Sequence, residues 1–251
     1  MEKSRVALVT GAGQGLGRAM AIALSKAGLA VAAVGRTAGK LDETVAMLDG
    51  KGLAIAADLA DPDQVRRVFK TAVGEFGRVD VLINCAADYG PFRLDEASDA
   101  QITAMIGNSM LSAIFCMREA INAMRAIGGG DIVNISTQSV EMPQPFMTVY
   151  AGVKSAIETI SQGLRYELKG EDFRIMVCQI GAISDAVPNP AFVAMKDRVL
   201  ESWQRTGIIS MYAFPGTPTE GIAAAVVHAV TAPRNVYTPL IKLRGVDVAA
   251  G

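Results

Sequence analysis

Apolar and polar residues form two kinds of segment that alternate along the chain. Short runs rich in small and β-branched apolar residues are separated by longer segments whose apolar positions recur with the spacing of a helix. The short runs predict strands over residues 5–9, 30–34, 53–57, 79–84, 132–135, 175–179 and 236–241. The longer segments predict helices over residues 15–27, 40–49, 63–75, 99–125, 150–169 and 219–231.

The order of these elements predicts the fold class. Strands that alternate with helices of this length form βαβ units, whose strands lie parallel in one sheet. Most of the strand segments lack alternating polarity, which is expected when helices cover both faces of the sheet. We therefore predict one doubly wound α/β domain over residues 1–251, with a Pro-punctuated stretch, 184–218, between the last two strands, in which short helices are possible.

Composition and charge exclude several classes of protein. The chain has 24 Lys and Arg against 25 Asp and Glu, a formal net charge of −1, so we expect no nucleic-acid partner. An apolar content of 51% is typical of a folded chain. The three cysteines favour a reducing compartment over a disulfide scaffold. Without a signal segment or a long uninterrupted apolar run, we expect a cytoplasmic protein with no membrane partner.

A glycine-rich loop follows the first predicted strand. Gly11, Gly15 and Gly17 form the pattern G-x-x-x-G-x-G, directly before a predicted helix. Glycine allows a tight turn and close backbone approach to a pyrophosphate, and the helix offers its amino-terminal N–H groups and dipole to the negative charge. The pattern therefore predicts a dinucleotide site, with an ordinary glycine-rich turn as the alternative.

The end of the second predicted strand bears on the choice of nucleotide. Folds that prefer NAD place an acid there to accept from the ribose hydroxyls, but this chain has Arg36, with Lys40 just beyond. A guanidinium at this point suits a 2′-phosphate. We therefore predict that NADP(H) is preferred, with NAD(H) also possible; the alternative is that Arg36 is a solvated surface residue.

Tyr150 and Lys154 are four residues apart at the start of a predicted helix and therefore share one face. A phenol has an ordinary pKa of about 10, and a nearby ammonium favours the phenolate and lowers that pKa. Tyr150 can then donate a proton to a carbonyl oxygen or take one from an alcohol. Three hydroxyl residues, Ser136, Thr137 and Ser139, lie just upstream.

The combined spacing of these motifs resembles the short-chain dehydrogenase/reductase family over nearly the whole chain. The matching positions are Thr10, Gly11, Gly15 and Gly17 in the cofactor loop, Asp58 and Leu59 after the third strand, Asn84, Cys85, Ala86 and Ala87 after the fourth, Asn108 in the long fourth helix, and Tyr150 and Lys154 in the Tyr-x-x-x-Lys signature. The resemblance implies a Rossmann-type fold and an oxidoreductase that transfers hydride between NADP(H) and a ketone or secondary alcohol.

The resemblance also implies roles for single residues. Tyr150 would handle the proton, Lys154 would lower its pKa and bond the nicotinamide ribose, and Asn108 would use its helix backbone to hold a water linked to Lys154. The family's serine lies 13 residues before the tyrosine, where this chain has Thr137; Ser136 and Ser139 are the alternatives. The implied cofactor contacts are Gly11, Gln14, Gly15, Leu16, Gly17, Arg36, Asp58, Leu59, Asn84, Ala86, Tyr150, Lys154, Gly181 and Ile183.

The segment after the sixth predicted strand departs from the family pattern of Pro-Gly, an aliphatic residue and a threonine. Gly181 and Ile183 are kept, and the backbone of Ile183 would meet the nicotinamide carboxamide. Ile180 replaces the proline and Asp185 the threonine. An acid there is expected to weaken the pyrophosphate contact by charge repulsion, with Ser184 as a substitute.

Two further predictions concern a metal site and the substrate pocket. The only histidine, His228, has no second histidine or cysteine pair at ligand spacing, so no metal site is predicted. A lid over 184–218 and an apolar pocket would select a small, fairly apolar substrate; the candidate wall residues are Tyr89, Phe92, Met142, Phe146, Met147, Trp203, Met211 and Phe214. Packing or an oligomer interface is the alternative for that wall.

The family implies a homotetramer or homodimer through the long helices at 99–125 and 150–169. A catalytically impaired nucleotide-binding protein and an interaction module are the competing functions.

Overall fold

A computed structural model of the chain describes residues 4–208 and 215–246. Seven parallel strands form one sheet in the order β3-β2-β1-β4-β5-β6-β7. The strands are β1 Val6–Thr10, β2 Ala30–Gly35, β3 Gly52–Ala56, β4 Val81–Asn84, β5 Gly129–Thr137, β6 Asp172–Ile180 and β7 Leu240–Leu243. The chain moves outward from β1 to β3 and then crosses to β4, so the strand order reverses between β1 and β4. Ligands of doubly wound sheets bind at the carboxyl end of this switch point.

Helices cover both faces of the sheet, which confirms the predicted doubly wound α/β class. They are α1 Gly15–Lys26, α2 Ala38–Ala46, α3 Pro62–Phe76, α4 Asp99–Ile106, α5 Ser112–Arg125, α6 Thr148–Glu167, α7 Pro190–Arg205 and α8 Thr219–Thr231. On one face, Val9 and Met176 pack with Met20 of α1 and Val226 of α8. On the other, Leu82 packs with residues of α3, α5 and α6. Burial on both faces explains why the strand segments read as apolar throughout.

Three elements differ from the sequence prediction. The helix predicted over 99–125 is interrupted by a π-helical segment, Gly107–Leu111, between α4 and α5. The stretch predicted as a Pro-punctuated connection contains the 16-residue helix α7. The last strand begins at Leu240 rather than at 236, because Arg174 and Arg165 bind the carbonyls of Val236 and Pro239 and hold that segment as a loop.

The run Asp99–Arg125 is long and apolar enough, by length and composition, to pass for a membrane-spanning helix. The sequence analysis predicts no such span, because charged residues interrupt the run. In the fold, Cys116, Met117 and Ala120 of α5 are buried against the sheet and α3. This packing is that of a core helix.

Candidate active site

The carboxyl ends of the strands open onto one cavity of about 870 Å³. Its walls come from the glycine loop, the ends of β2, β4, β5 and β6, the first turns of α6, and α7. The predicted site residues that line it are Gly11, Gln14, Gly15, Leu16, Gly17, Arg36, Asp58, Leu59, Ala86, Asn108, Thr137, Tyr150, Lys154, Gly181 and Ile183. Asn84 is the one predicted site residue that is not part of the lining.

Close backbone packing explains the glycines of the loop after β1. A Cβ added to Gly17 would lie 2.2 Å from the carbonyl oxygen of Gly11, and one added to Gly11 would lie 3.0 Å from the backbone of Ala86. The Thr10 hydroxyl accepts hydrogen bonds from the N–H groups of Cys85 and Ala86, which joins this loop to the loop after β4. The first turn of α1 has no acidic residue and no side-chain cap, so its N–H groups remain available to an anion.

Two cations flank the end of the cavity formed by β2 and α2. Arg36 is exposed at the rim, and Lys40 Nζ donates to Gln14 Oε1 at 2.6 Å. Arg18 donates to the carbonyls of Gly13 and Lys40 and fixes the glycine loop against α2. This end of the cavity is therefore positively charged, as a 2′-phosphate requires.

Asn84 points into the protein instead of into the cavity. Its side-chain amide donates to Asn134 Oδ1 at 2.8 Å, and the Asn134 amide donates to Ser161 Oγ at 2.8 Å. Asn84 and Asn134 are buried, and the chain of bonds joins β4, β5 and α6. The Asn84 side chain is therefore occupied inside the protein, with its amide bonded to Asn134, and the implied cofactor contact of Asn84 stays a prediction.

Tyr150 and Lys154 lie on successive turns of α6, as their spacing predicts. Lys154 Nζ donates to the carbonyl of Ile135 at 2.7 Å and lies 5.9 Å from the centre of the Tyr150 ring. The side chain of Thr137 is hydrogen-bonded to Tyr150. Ser139 Oγ lies 3.1 Å from Thr137 Oγ1, whereas Ser136 donates its hydroxyl proton to Glu158. Of the three candidate hydroxyls, that of Thr137 opposes the rise in the Tyr150 pKa, and the choice of Thr137 stays a prediction.

Burial controls the ionisation of this pair. It raises the pKa of the Tyr150 phenol well above its usual range, with Tyr89 and Cys85 adding to the rise and the Thr137 bond opposing it. The prediction of a lowered Tyr150 pKa is thus wrong for the free chain, because desolvation of the phenol dominates. Burial also lowers the pKa of Lys154 to about 8, with Cys85 and Glu158 opposing the change.

Asn108 lies in the π-helical segment between α4 and α5 and lines the cavity. Its backbone carbonyl already accepts a hydrogen bond from Ser112 Oγ at 2.7 Å. A carbonyl oxygen has two lone pairs and can accept a second hydrogen bond beside that from Ser112. π-Bulges of this kind frequently mark functional sites.

Asp185 does not face the glycine loop. Its carboxylate accepts from the N–H group of Thr219 at 2.8 Å and from the Thr219 hydroxyl at 2.6 Å. These bonds lower the Asp185 pKa and place its charge at the amino terminus of α8, where a negative charge is favourable. The expected repulsion of a pyrophosphate by Asp185 is therefore not supported. Ile183 instead pairs with Thr217 in a short parallel bridge.

Aromatic residues form the wall of the cavity beyond Tyr150. Tyr89, Met147 and Trp203 line it as predicted, together with Phe192 of α7. The predicted wall residues Phe92, Phe146 and Met142 do not line the cavity, because Phe92 and Phe146 are buried behind it and their backbones hydrogen-bond to each other. Met211 and Phe214 lie outside the described residues.

The family model described as short chain dehydrogenase matches residues 5–192. The chain belongs to the short-chain dehydrogenase/reductase family. This confirms the resemblance and shows that the protein is an oxidoreductase. An uncharacterised oxidoreductase of Methylorubrum extorquens is 32% identical over 185 residues, 72% of this chain and 74% of that protein. A short chain dehydrogenase/reductase of Aspergillus oryzae is 31% identical over 192 residues, 72% of each chain.

Solved structures give the same family. A short chain dehydrogenase from Burkholderia cenocepacia, solved in complex with NADP, is 28% identical and superposes with a TM-score of 0.82. The match covers 97% of each chain. This short-chain dehydrogenase/reductase therefore has the complete fold of a relative that binds NADP.

Sequence reasoning missed several residues that shape the site of this short-chain dehydrogenase/reductase. Asn134 and Ser161 anchor Asn84, Ser112 bonds Asn108, and Phe192 joins the aromatic wall. Glu158 could have been found, because it lies one helical turn after Lys154 on the same face. The others are brought to the site by contacts distant in sequence.

Proposed function

We propose that this oxidoreductase transfers hydride between NADP(H) and a small, fairly apolar ketone or secondary alcohol, with Tyr150 as the proton donor or acceptor. The observation that carries this proposal is the set formed by buried Lys154 and partly buried Tyr150 and Thr137 in a cavity continuous with the glycine loop. The competing interaction module would need no such set. The competing hypothesis, a catalytically impaired nucleotide-binding protein, loses one of its supporting observations, because the Asp185 carboxylate bonds Thr219 at the start of α8.

The lining residues fit a nicotinamide dinucleotide. The glycine loop and the uncapped first turn of α1 would hold the pyrophosphate, and Arg36 with Lys40 would hold a 2′-phosphate. Asp58 and Leu59 would contact the adenine end, and Gly181 and Ile183 the nicotinamide end. When bound, the dinucleotide supplies or accepts the hydride. The Burkholderia cenocepacia relative was solved with NADP, which supports the preference inferred from Arg36.

The chain's own residues handle the proton. With its raised pKa, the Tyr150 phenol keeps its proton at neutral pH and can donate it to a carbonyl oxygen that accepts charge. The Thr137 hydroxyl would hold the same oxygen and stabilise its developing negative charge. The Lys154 ammonium would stabilise the phenolate that remains, and the backbone carbonyl of Asn108 would hold a water for proton return.

Replacement of the phenol hydroxyl tests the proposal. In Tyr150→Phe, NADPH oxidation with a panel of ketones should fall by about 10²–10⁴-fold, the usual contribution of a positioned acid. NADPH binding, followed by nucleotide fluorescence, should be retained. The matched control is Tyr166→Phe, which removes a hydroxyl from the same helix at a residue that is 80% exposed. Tight NADPH binding without turnover in the wild-type protein would support the impaired protein instead.

We also propose a cytoplasmic homodimer or homotetramer that associates through the long helices. All three cysteines are unpaired, in keeping with a reducing compartment. Leu111, on the run that includes α4 and α5, is an exposed large apolar residue, 37% of whose surface is accessible in the monomer. Light scattering after size-exclusion chromatography measures the mass, and a monomeric mass at micromolar concentration would contradict the assembly.

A further inference from the structure

The part of the cavity beyond Tyr150 has a composition that selects a chemical class of substrate. We propose that the substrate is an uncharged ketone that carries an aromatic ring, or the corresponding alcohol, with a hydroxyl on the ring that bonds Gln144. This inference rests on the proposed function, because it takes Tyr150 to mark the position of the carbonyl.

Three rings form a continuous aromatic wall, defined here as Tyr89, Phe192 and Trp203. Tyr89 meets the Tyr150 ring edge to face at 5.4 Å between centres, and stacks on Phe192 at 6.1 Å with 15° between the planes. Phe192 meets Trp203 at 6.3 Å with 60° between the planes. The wall therefore starts at the proposed proton donor and extends along one side of the cavity, where a ring attached to the carbonyl would lie.

The described residues leave part of the aromatic wall accessible. Tyr89 is 40% exposed, and the neighbouring cavity residues Val187 and Val193 are 49% and 59% exposed. Large apolar side chains with so much accessible surface in a concave site indicate ligand binding. A planar ring can stack or meet these rings by its edge, and aromatic pairs are stabilised beyond their buried area.

The same region carries no formal charge. The charged residues among the described lining are Arg36, Lys40 and Asp58 at the nucleotide end, and Lys154, whose Nζ bonds the Ile135 carbonyl. A carboxylate or phosphate on the substrate would lose its hydration here without a cation among the described wall residues to pair with, so the site disfavours it.

Two glutamines that line the cavity have a buried polar atom without a partner, the donor Nε2 of Gln138 and the acceptor Oε1 of Gln144, and Gln144 is the one beside the aromatic wall. Gln144 is 4% exposed, lines the cavity, and its Oε1 atom is buried with no hydrogen bond. The loop that carries it is fixed, because Trp203 Nε1 donates to the carbonyl of the next residue, Pro145, at 3.0 Å. A buried acceptor without a donor is unfavourable, and a substrate hydroxyl would satisfy it.

Paired substrates and paired variants test the aromatic part. The first pair is phenyl methyl ketone and cyclohexyl methyl ketone with NADPH, and the readout is the ratio of their kcat/KM values. The difference in intrinsic reactivity cancels when that ratio is compared between proteins. Phe192→Leu should lower the ratio by about 2- to 10-fold, the worth of one aromatic pair. The control is Phe173→Leu, which changes a partly buried ring at the opposite end of β6.

Two further pairs test the charge and the hydroxyl. Phenylglyoxylamide should be reduced with a kcat/KM about tenfold or more above that of phenylglyoxylate, which differs from it by one negative charge. Hydroxyphenyl methyl ketones, taken as the three ring isomers, should include one preferred over the unsubstituted ketone. Gln144→Leu should lower that preference by about 2- to 10-fold, the net worth of one hydrogen bond.

The outcomes separate this inference from the proposed function. An unchanged aryl-to-cyclohexyl ratio in Phe192→Leu, or a preference for the carboxylate, would overturn the aryl assignment while reduction itself stands. An effect of Gln144→Leu that is equal for hydroxylated and plain rings would overturn the role of Gln144. If no carbonyl supports NADPH oxidation that depends on Tyr150, the proposed function fails as a whole.

Discussion

Buried charges lie near both ends of strand β5, and they are paired differently at the two ends. At the amino end, the Asp131 carboxylate is fully buried and accepts bonds from Arg174 and Arg5 at 2.6 to 2.7 Å, and from Arg234. At the carboxyl end, Lys154 is also buried, but its Nζ donates to a backbone carbonyl, and Glu158 acts on it only through its field.

The pKa values show what this difference means. Burial pushes the pKa of Asp131 upward, but bonds and charges from Arg174, Arg5 and Arg234 outweigh it and leave the pKa below its usual range. At Lys154 the effect of burial exceeds the opposing effects of Cys85 and Glu158, and the pKa falls to about 8. A fully paired buried charge therefore contributes to structure, whereas an incompletely paired one titrates near neutral pH and is available for chemistry.

The largest expected effect is on the free energy of unfolding, at the amino end of β5, where Asp131 is fully paired. Asp131→Asn leaves three guanidinium groups without their common carboxylate and should lower the free energy of unfolding by about 3–5 kcal/mol, measured by urea denaturation. Asp172→Asn is the control, because that exposed carboxylate also pairs with Arg234 but should contribute less than about 1 kcal/mol. Equal losses in the two variants would show that burial and full pairing do not distinguish Asp131.

At the carboxyl end of β5, where Lys154 is incompletely paired, a substitution should change the free energy of unfolding in the opposite direction. A lysine whose pKa falls on folding destabilises the native state below about pH 8, and this cost is relieved as the pH rises from about 8 towards its unfolded value of 10.5. Lys154→Met should therefore raise the free energy of unfolding at pH 7 by about 3 kcal/mol while lowering turnover. The gain should shrink between pH 8 and 10.5. Denaturation at several pH values measures it, and a less stable variant at pH 7 would contradict the contrast.

The pH dependence of turnover sharpens the comparison further. For ketone reduction, kcat/KM should fall as the pH rises through about 8, because neutral Lys154 no longer stabilises the Tyr150 phenolate. In Glu158→Gln the fall should begin at lower pH, since the carboxylate that favours the ammonium is gone. Glu167→Gln, an exposed position on the same helix, should leave the profile unchanged. Identical pH profiles of kcat/KM for all three proteins would show that Glu158 does not influence the ionisation of Lys154.

The smallest effect is expected for an exposed charge that has no ion pair among the residues the structure describes. Arg36 is exposed, so Arg36→Ala should leave stability unchanged within about 0.5 kcal/mol. It should weaken NADPH binding about tenfold and NADH binding little, because a charge-assisted bond to the 2′-phosphate contributes about 1.5–3 kcal/mol at most. Fluorescence titration of both nucleotides measures the ratio, with Lys26→Ala as the control. An unchanged ratio would leave the nucleotide preference without its proposed cause.

Local signals explain why much of the fold could be predicted. Apolar runs between helical segments gave the βαβ order, and spacing along one helix brought Tyr150 and Lys154 to one face. The distance from Thr137 to Tyr150 along the chain favours Thr137 among three hydroxyls, and this choice stays a prediction; β5 ends at Thr137, shortly before the start of α6. The unpredicted features depend on partners distant in sequence. Asn84 turns inward because its amide donates a hydrogen bond to Asn134. Asp185 turns towards α8 because Thr219 donates two hydrogen bonds to its carboxylate.

The amino-acid sequence by itself determined the doubly wound α/β fold, the glycine loop and the Tyr–Lys pair, because each depends on periodicity or on spacing within one element. Only the tertiary structure decided the direction in which the pKa values of that pair move. The ordinary tendency of an ammonium to lower a phenol's pKa is a local effect, whereas desolvation raises the pKa of Tyr150, and the charges of Tyr89 and Cys85 add to the rise. Desolvation depends on the whole packed environment, so it follows from the fold and not from the four-residue spacing.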